Sequence, residues 1–340
     1  MLVFHMQQAF SPVAAPGGYL AVDLFFIMSG VVLSHAYEAR FAAGMGMFDF
    51  MRARLIRLYP LYLLGAVFGV AVALASMHGH NIQNWDTTNL SRAALFAVFF
   101  VPNFVEEPVN QMFPLNIPSW SLFFELVVNL LFVALWPLLT SRRLVAAALL
   151  AGAVVGGAII RKGNIDQGSM SMDFFVGLTR SVFGFSVGIL IARVVRREGR
   201  HNNDFAAIAI VALVVMTIVA WPEGELRVFW DALCVLVIFP LIVYCATLVD
   251  PGARLRRIAT FLGVTSYAVY TLQSPLSSVL NSTTRYLAGR NSVAMLDPPY
   301  LGLAILTTLL AGCWLVDRYL DMPARRLLGR VLPKRQVRFS

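Results

Sequence analysis

Four ionisable side chains stand inside otherwise apolar stretches of the sequence: His5, Asp23, Glu125 and Arg180. Each would cost at least about 2.5–3.5 kcal/mol at the centre of a membrane helix, which makes it a candidate for function. An imidazole can act as a general base or a nucleophile near neutral pH, and a carboxylate can orient it or stabilise its charged form. These residue types permit one polar site in which His5, Asp23 and Glu125 carry the chemistry.

Each of these residues also has a structural interpretation that the sequence leaves open. His5 could be a packed or interfacial residue, and Asp23 could pair with a membrane arginine. Glu125 stands one turn into its predicted helix, where a carboxylate suits the positive end of the helix dipole. Arg180 would then neutralise one of the acids. Their coexistence favours a shared site, because four unrelated buried polar groups would be expensive.

Arg54 and Arg57 form a pair spaced to share one face of a helix. Guanidinium groups bind phosphates in a bidentate manner, so the pair is suited to clamp the phosphates of a cytoplasmic cofactor. The alternative is that both arginines only set membrane orientation and contact anionic lipid.

The composition predicts the element type that must position these residues. Of 340 residues, 59% are hydrophobic and 13% are charged, against roughly 45–50% and about 25% in soluble domains. The apolar residues form blocks of about 17–22, long enough to cross a bilayer as helices. The sequence thus predicts an all-α polytopic membrane protein of about ten transmembrane helices. The net charge of +9 does not indicate nucleic-acid binding, because the basic residues lie between the blocks, and the three cysteines show no metal-binding spacing.

The predicted helices comprise a short N-terminal stub, Met1–Phe10, nine full blocks and one weaker segment. The stub is too short to span and is expected to be the outer half of a truncated helix. The weaker segment, Arg92–Phe104, is also too short and is expected not to span. The nine full blocks are Gly18–Tyr37, Leu58–Met77, Trp120–Thr140, Leu144–Ile160, Phe174–Ala192, Phe205–Trp221, Val228–Val249, Phe261–Leu280 and Tyr300–Leu320.

The distribution of Lys and Arg predicts the orientation. If the blocks alternate in direction, the segments on one side hold twenty of the 27 basic residues and those on the other hold six. Cytoplasmic loops carry the excess of Lys and Arg, so the C-terminus is expected in the cytoplasm. The predicted organisation is a single transmembrane domain over residues 1–320, followed by a basic cytoplasmic tail over residues 321–340.

Several motifs resemble those of the acyltransferase-3 family of membrane-bound acyltransferases. Gly18–Gly30 resembles its second-helix signature, and Arg54–Pro60 resembles its R-x-x-R-x-x-P element. Ile117–Leu122 followed by Glu125 resembles its S-W-S-L-x-x-E element, and Phe261–Pro275 resembles a further shared stretch. The elements occur in the same order across nearly the whole chain. The sequence departs from the pattern in three respects. The arginine that the family usually carries eleven residues before the histidine would precede Met1, Gln273 stands where histidine is common, and Asp321 stands where glutamate is common.

The resemblance implies transfer of an acyl group, commonly acetyl, from a cytoplasmic acyl-CoA to a hydroxyl of a carbohydrate or envelope glycan, in the inner membrane of a bacterium. His5 matches a first-helix histidine that is essential in the family. Arg54 and Arg57 match the arginine pair that would face the donor's phosphates. The resemblance implies no tightly bound cofactor and no metal. Membrane lipids, the acyl-CoA and the glycan acceptor are the expected partners.

Two alternatives stay open at this point. The chain could be a transporter or flippase that moves an acyl donor or a lipid-linked sugar without chemistry, or a catalytically inactive relative that acts in a complex. Among residues of the predicted outer segments, Trp85, Trp120 and Tyr286 could stack on sugar rings, although aromatic residues are expected at a membrane interface in any case.

Overall fold

The computed structural model describes residues 2–78, 84–105, 110–196, 201–220, 222–288 and 300–331, with the side chains of Leu2, Gln8 and 280–288 excepted, and the fold is almost entirely helical. Helical turns of the 3₁₀ type join some helices, and two π-helical turns, Cys234–Ile238 and Asp317–Asp321, interrupt others. The α-helices are α1 Leu2–His5, α2 Gln7–Phe10, α3 Ala21–Ala42, α4 Met47–Met77, α5 Thr87–Phe99, α6 Ser119–Ala134, α7 Ser141–Lys162, α8 Phe174–Val195, α9 Asp204–Val219, α10 Leu226–Leu233, α11 Phe239–Leu248, α12 Ala253–Ala288, α13 Tyr300–Val316 and α14 Met322–Val331. Two short strands, β1 His201–Asn202 and β2 Val249–Asp250, pair in parallel.

Six helical segments in the described part of the chain are long and apolar enough to cross a membrane, and two shorter apolar helices, α6 and α9, accompany them. The predicted all-α polytopic fold is therefore confirmed, whereas the predicted number of about ten transmembrane helices is not. The predicted block Phe261–Leu280 is not among the six, because serine, threonine, tyrosine and glutamine dilute its apolar character in α12. The six segments are Gly18–Ala42, Met47–Met77, Ser141–Lys162, Ser171–Val195, Leu226–Leu248 and Tyr300–Val331.

Several boundaries differ from the predicted ones for local reasons. Helix α6 ends at Ala134 rather than continuing to Thr140, because Pro137 lacks an N–H and its ring opposes a further helical turn. The short segment expected at Arg92–Phe104 is α5, which starts earlier because Asp86 caps it. Helix α4 begins at Met47, eleven residues before the predicted block, so Arg54 and Arg57 lie within a helix.

One end of the helix bundle is held together by arginine side chains, and we call it the arginine-rich end. Here Arg193 donates from Nε to Glu38 Oε1 at 2.8 Å and from Nη1 to the carbonyl of Leu139 at 2.8 Å. Arg196 Nη1 contacts the other oxygen of Glu38 at 2.7 Å. These contacts place the ends of α3 and α8 beside the start of α7, as alternating helices require.

Two further contacts extend the arginine-rich end across the bundle. Arg52 near the start of α4 donates to the carbonyl of Gly329 in α14 at 2.8 Å. Asp204 at the start of α9 accepts from the backbone N–H of Gly252, directly before α12, at 2.5 Å. The first contact joins the start of α4 to the end of α14, and the second joins the start of α9 to the start of α12.

The opposite end is joined by a buried carboxylate. Asp231 in α10 accepts hydrogen bonds from the Tyr19 hydroxyl at 2.8 and 2.9 Å and from the backbone N–H of Ile165 at 3.0 Å. Asp231 is 0% exposed. The contact ties the start of α3 to the turn after α7 and to α10, which fixes these helical segments at the end opposite the arginine-rich end.

Helices α3 and α8 approach each other closely because glycines face one another. A Cβ atom at Gly188 would overlap the carbonyl oxygen of Ile27, and one at Gly30 would overlap the carbonyl oxygen of Phe185. Gly184 and Gly188 form the small-x-x-x-small spacing that lets membrane helices pack backbone against backbone. This interface carries two of the ionisable residues described above, Asp23 and Arg180.

The outer surface is apolar, as expected for a protein surrounded by lipid. Leu149, Leu150 and Phe205 are each about 70–80% exposed. Soluble monomeric proteins rarely expose large contiguous apolar patches. Together with the six apolar spans, this surface identifies a multi-pass membrane protein.

The two terminal segments differ from their predicted form. The stub forms two short helices, α1 and α2, which break at Met6 rather than forming one half-helix. The predicted tail starts inside a continuous helical span, because α13 runs through a π-helical turn into α14. Residues 332–340, the remainder of the tail, lie outside the described residues.

Candidate functional site

Asp23 and Arg180 form an isolated ion pair between α3 and α8. Arg180 donates from Nε to Asp23 Oδ1 at 2.9 Å and from Nη2 to Oδ2 at 2.7 Å, which is a bidentate arrangement. Their side chains are 2% and 1% exposed. The remaining guanidinium nitrogen of Arg180 donates to the carbonyl of Gln167. The charges of this pair are balanced by each other, as the structural interpretation of Asp23 predicts.

Trp120 covers the same guanidinium group. The Arg180 Cζ lies 5.3 Å from the centre of the Trp120 ring, which is within range of a cation–π interaction. Trp120 is 8% exposed and belongs to the S-W-S-L segment at the start of α6. The Asp23–Arg180 pair and Trp120 therefore connect α3, α8 and α6 at the S-W-S-L segment.

A second ion pair joins α4 and α6. Arg54 Nη2 lies 2.5 Å from Glu125 Oε1, and the same oxygen accepts a hydrogen bond from the Ser29 hydroxyl at 3.2 Å. Arg54 is 7% exposed and Glu125 is 3% exposed. The Nε atom of Arg54 is buried and lacks a hydrogen-bond partner among the residues that the structure describes. Unlike the Asp23–Arg180 pair, this one leaves part of a guanidinium group without an acceptor.

The second pair borders a cavity of about 340 Å³ between α3, α4, α6 and α12. Along α3 the lining extends from Ala21 to Leu33, which is twelve residues or about 18 Å at 1.5 Å per residue. The side chains and backbone positions that line it are Ala21, Val22, Phe25, Met28, Ser29, Val32, Leu33, Arg54, Arg57, Leu58, Leu122, Glu125, Gly263, Ser266, Tyr267 and Tyr270.

Arg57 lies at this cavity with an exposed side chain. Among the described residues it has neither a hydrogen bond nor an ion pair, although Glu125 lies within electrostatic range. The predicted pair Arg54 and Arg57 thus faces a single cavity, as the spacing of the two residues requires. Arg57 presents the free cation, and Arg54 is largely engaged by Glu125.

Sequence reasoning missed the contribution of α12. Gly263, Ser266, Tyr267 and Tyr270 face the cavity with the spacing i, i+3, i+4, i+7, the pattern of one helix face. That periodicity was present in the sequence and could have located this wall.

The two tyrosine hydroxyls of α12 are anchored. Tyr267 donates to the carbonyl of Leu58 at 2.6 Å. Tyr270 shares a hydrogen bond of 2.5 Å with the Ser121 hydroxyl and donates to the carbonyl of Pro118 at 3.1 Å. The rings are therefore held in place as one side of the cavity.

His5 lies apart from the two ion pairs. Its side chain is exposed, it contacts the Phe4 ring edge-on at a centroid distance of 5.1 Å, and Phe4 in turn contacts Tyr19. In the described part of the chain His5 forms no hydrogen bond or ion pair with Asp23 or Glu125. The structure brings Glu125 together with Arg54 and Asp23 together with Arg180, and it places His5 near the end opposite the arginines.

Two of the three aromatic residues considered for sugar stacking are already packed against other side chains. Trp85 is 4% exposed and packs in an apolar cluster, and Trp120 is occupied by Arg180. The side chain of Tyr286 lies outside the described residues. Within the described residues, no group of three or more His, Cys, Asp or Glu side chains is placed to hold a metal ion.

The fold and the cavity define a multi-pass membrane protein. Among the described residues, the Asp23–Arg180 pair is buried between two helices, and the Arg54–Glu125 pair lines a cavity together with the unpaired Arg57. Comparison with known sequences assigns the family. The chain belongs to the acyltransferase-3 family, because the family model, described as "Acyltransferase domain", matches residues 1–318. The protein is accordingly a membrane acyltransferase.

One curated relative is similar to part of the chain. "Protein 2 in picA locus" of Rhizobium radiobacter is 36% identical over 137 residues, a stretch that covers 37% of this chain and 69% of that protein. No solved structure matches the chain.

Proposed function

We propose that the protein transfers an acyl group, most simply acetyl, from acyl-CoA to a hydroxyl of a carbohydrate or envelope glycan. The observation that carries this proposal is the cavity, which joins a free guanidinium group at Arg57 to an interior lined by apolar residues and hydroxyl groups. A phosphate-bearing head with a long, weakly polar arm is the ligand chemistry that such a cavity suits.

The dimensions of the cavity support an extended donor. Its lining spans about 18 Å along α3, so an arm anchored at the arginines would reach well into the bundle. The apolar wall formed by Val22, Phe25 and Leu122 would exclude water from the thioester and the acyl group. In this arrangement Arg57 binds phosphate, and Glu125 holds Arg54 beside it.

His5 is proposed as the catalytic base or nucleophile, on the strength of its match to the family's histidine. In direct transfer, its imidazole takes the proton of the acceptor hydroxyl, the hydroxyl oxygen attacks the thioester carbonyl, and the C–S bond breaks to release the thiol of CoA. In the stepwise route, the imidazole nitrogen is acylated first and the hydroxyl then takes the acyl group. Both routes consume one thioester and yield one ester and one thiol.

The catalytic roles predicted for Asp23 and Glu125 remain predictions, and the described contacts favour supporting roles. Both oxygens of Asp23 accept from Arg180, and Glu125 accepts from Arg54 and Ser29. Neither carboxylate is hydrogen-bonded to His5. We therefore assign Asp23 to the helix interface and Glu125 to the position of Arg54 at the cavity.

The arginine-rich end is proposed to face the cytoplasm, with the protein in the bacterial inner membrane and the C-terminus inside. Support comes from the excess of basic residues at this end. Acyl-CoA would then enter beside Arg57. Its acyl group would be carried toward the opposite end, where His5 lies.

A transporter or flippase would use a similar cavity without chemistry. Membership of an acyltransferase family favours the enzyme. The decisive experiment supplies purified protein in detergent, where no gradient exists, with radiolabelled acetyl-CoA and an envelope polysaccharide. Label transfer to the polysaccharide is the expected result. No transfer by folded wild-type protein supplied with a defined acceptor would contradict the proposal.

A matched histidine pair tests the role of His5. His5→Ala should abolish label transfer, because the reaction loses its base or nucleophile. His35→Ala serves as the control, since His35 is an exposed histidine of α3 outside the cavity lining. Full activity in His5→Ala protein would remove His5 from the mechanism.

A further inference from the structure

Helix α14 packs against α4 in the antiparallel direction. Arg52 in α4 donates to the carbonyl of Gly329 near the end of α14. Asp321, eight residues earlier, lies within electrostatic range of Tyr267, whose hydroxyl is bound to the carbonyl of Leu58. Residues of α14 with lower numbers therefore lie beside residues of α4 with higher numbers.

This register brings Arg325 to the level of Arg57. From the Arg52–Gly329 contact, Arg57 is five residues or about 7.5 Å along α4, and Arg325 is four residues or about 6 Å back along α14. The electrostatic interaction between Arg325 and Arg57 agrees with this placement. Arg325 also interacts with Tyr267, which lines the cavity.

The arginines around this part of the cavity differ in whether a carboxylate is paired with them. Arg54 is paired with Glu125, and Arg325 is paired with Asp321. Arg57 stands between them without an ion pair in the described part of the chain. Of these three guanidinium groups, Arg57 alone lacks a paired carboxylate among the described residues, and it lies near a second cation, Arg325, with which it interacts unfavourably.

Arg325 is held for such a role rather than left to move in solvent. Its side chain is only 22% exposed, its Nε atom is buried without a hydrogen-bond partner, and Asp321 beside it is fully buried. Asp321 lies in the π-helical turn between α13 and α14, and π-helical turns are frequent at functional sites. The buried carboxylate and the turn position the guanidinium toward α4.

We propose that Arg325 is a further phosphate-binding residue of the acyl-donor site, acting with Arg57, and that Asp321 is its positioning residue. The inference rests on the proposed function and adds a contact from the C-terminal helix to the pair in α4. An anion between Arg57 and Arg325 would remove their repulsion and occupy the unpaired donors of both groups.

The test compares two donors that differ in their phosphates. Acetyl-CoA carries them, and S-acetyl-N-acetylcysteamine offers the same thioester without any phosphate. Arg325→Ala should raise the KM for acetyl-CoA roughly ten- to hundredfold, the effect of losing a hydrogen bond to a charged group. With the truncated donor, Arg325→Ala and wild type should behave alike. Arg325→Lys, which keeps the charge, should recover part of the loss.

The matched control is Arg326→Ala. Arg326 is the adjacent arginine of α14 and its side chain is exposed. The Arg326→Ala substitution removes the same charge from the same helix and should leave the KM for acetyl-CoA unchanged. Equal losses with both donors would indicate a merely structural role for Arg325 and overturn the inference, as would an unchanged KM in Arg325→Ala protein.

Binding of CoA, measured by calorimetry, separates this inference from the proposed function. Weaker CoA binding in Arg325→Ala than in Arg326→Ala supports the inference even if wild type transfers no label, an outcome that would overturn the proposed function alone. Equal CoA binding in the two variants overturns the inference alone. Failure of wild type to bind CoA overturns both.

Discussion

The Asp23–Arg180 and Arg54–Glu125 ion pairs are built from similar groups but differ in what surrounds them. Asp23 and Arg180 meet through two hydrogen bonds, with a tryptophan ring and a backbone carbonyl on the remaining sides. Arg54 and Glu125 meet through one short contact beside an open cavity, with Arg57 free next to them. The first pair is closed and the second is open.

The difference separates stability from binding. A buried pair with every donor and acceptor used has nothing left to offer a ligand, and breaking it leaves an isolated charge in a low-dielectric interior. A pair that borders a cavity beside an unpaired cation can still bind a ligand. We therefore expect changes at the closed pair to affect the amount of folded protein, and changes at the open pair to affect the reaction.

The largest expected effect is at the closed pair. Arg180→Ala should destabilise the fold by about 3–5 kcal/mol, because Asp23 would remain buried without a counter-ion. The measurement is thermal unfolding of the purified protein in detergent, together with the yield of monodisperse protein.

A double variant isolates the charge from the packing. Asp23→Asn combined with Arg180→Gln removes both charges and keeps hydrogen-bonding groups, so it should recover most of the stability lost in Arg180→Ala. Arg180→Ala protein with wild-type unfolding temperature would show that the closed pair does not stabilise the fold, and the comparison between the two pairs would fail.

The open pair should respond in activity. Glu125→Gln keeps the size of the side chain but removes the charge that holds Arg54, and a hydrogen bond between charged groups contributes about 1.5–3 kcal/mol. If that loss falls on donor binding or the transition state, kcat/KM should fall by roughly ten- to hundredfold. Label transfer at varied acetyl-CoA concentrations measures it.

The matched control for this variant lies at the arginine-rich end. Glu38→Gln changes a buried glutamate that is also paired with arginine but lies outside the cavity lining. It should lower stability and leave the KM for acetyl-CoA unchanged. Equal kinetic losses in Glu125→Gln and Glu38→Gln would indicate a general effect of lost ion pairs.

The sequence predicted most of the fold and the identity of the ionisable residues. The apolar blocks located the long helices, since a block of that length has few alternatives to a membrane helix. The family motifs selected Arg54, Arg57 and Glu125, and all three line one cavity. The spacing of Arg54 and Arg57 in the sequence was enough to predict that they face the same cavity, because both lie on one helix.

The pairing between helices was harder to predict. Which acid meets Arg180 depends on how closely α3 and α8 approach, and the glycines that set this distance lie far apart in sequence. The relation of Arg325 to Arg57 depends on the register of two helices more than 200 residues apart, which no local pattern encodes. Helix ends were shifted for simpler reasons, such as the proline at position 137 that stops α6.

The glycine contact between α3 and α8 offers a way to disturb the closed pair without touching its charges. Gly188→Leu would drive a side chain into the backbone of α3 at Ile27, and overpacking of this kind costs about 1–3 kcal/mol. Thermal unfolding should show the loss. Gly157→Leu in α7 is the control, because a side chain there meets open space, and it should leave the unfolding temperature nearly unchanged. Similar behaviour of both variants would contradict the close approach of the two helices.

The smallest expected effect is at Tyr270, which lies at the boundary between the two pairs. Tyr270→Phe removes a hydroxyl that bonds to Ser121 and to the carbonyl of Pro118, while the ring keeps its stacking on Phe25. Such a loss costs about 0.5–1.5 kcal/mol, because the hydroxyl of Ser121 still has the Pro118 carbonyl as its acceptor. We expect a small drop in unfolding temperature together with a KM for acetyl-CoA within about threefold of wild type. A large kinetic loss with unchanged stability would instead make the hydroxyl part of the reaction, and the open region would then extend from Arg57 through the full length of the cavity.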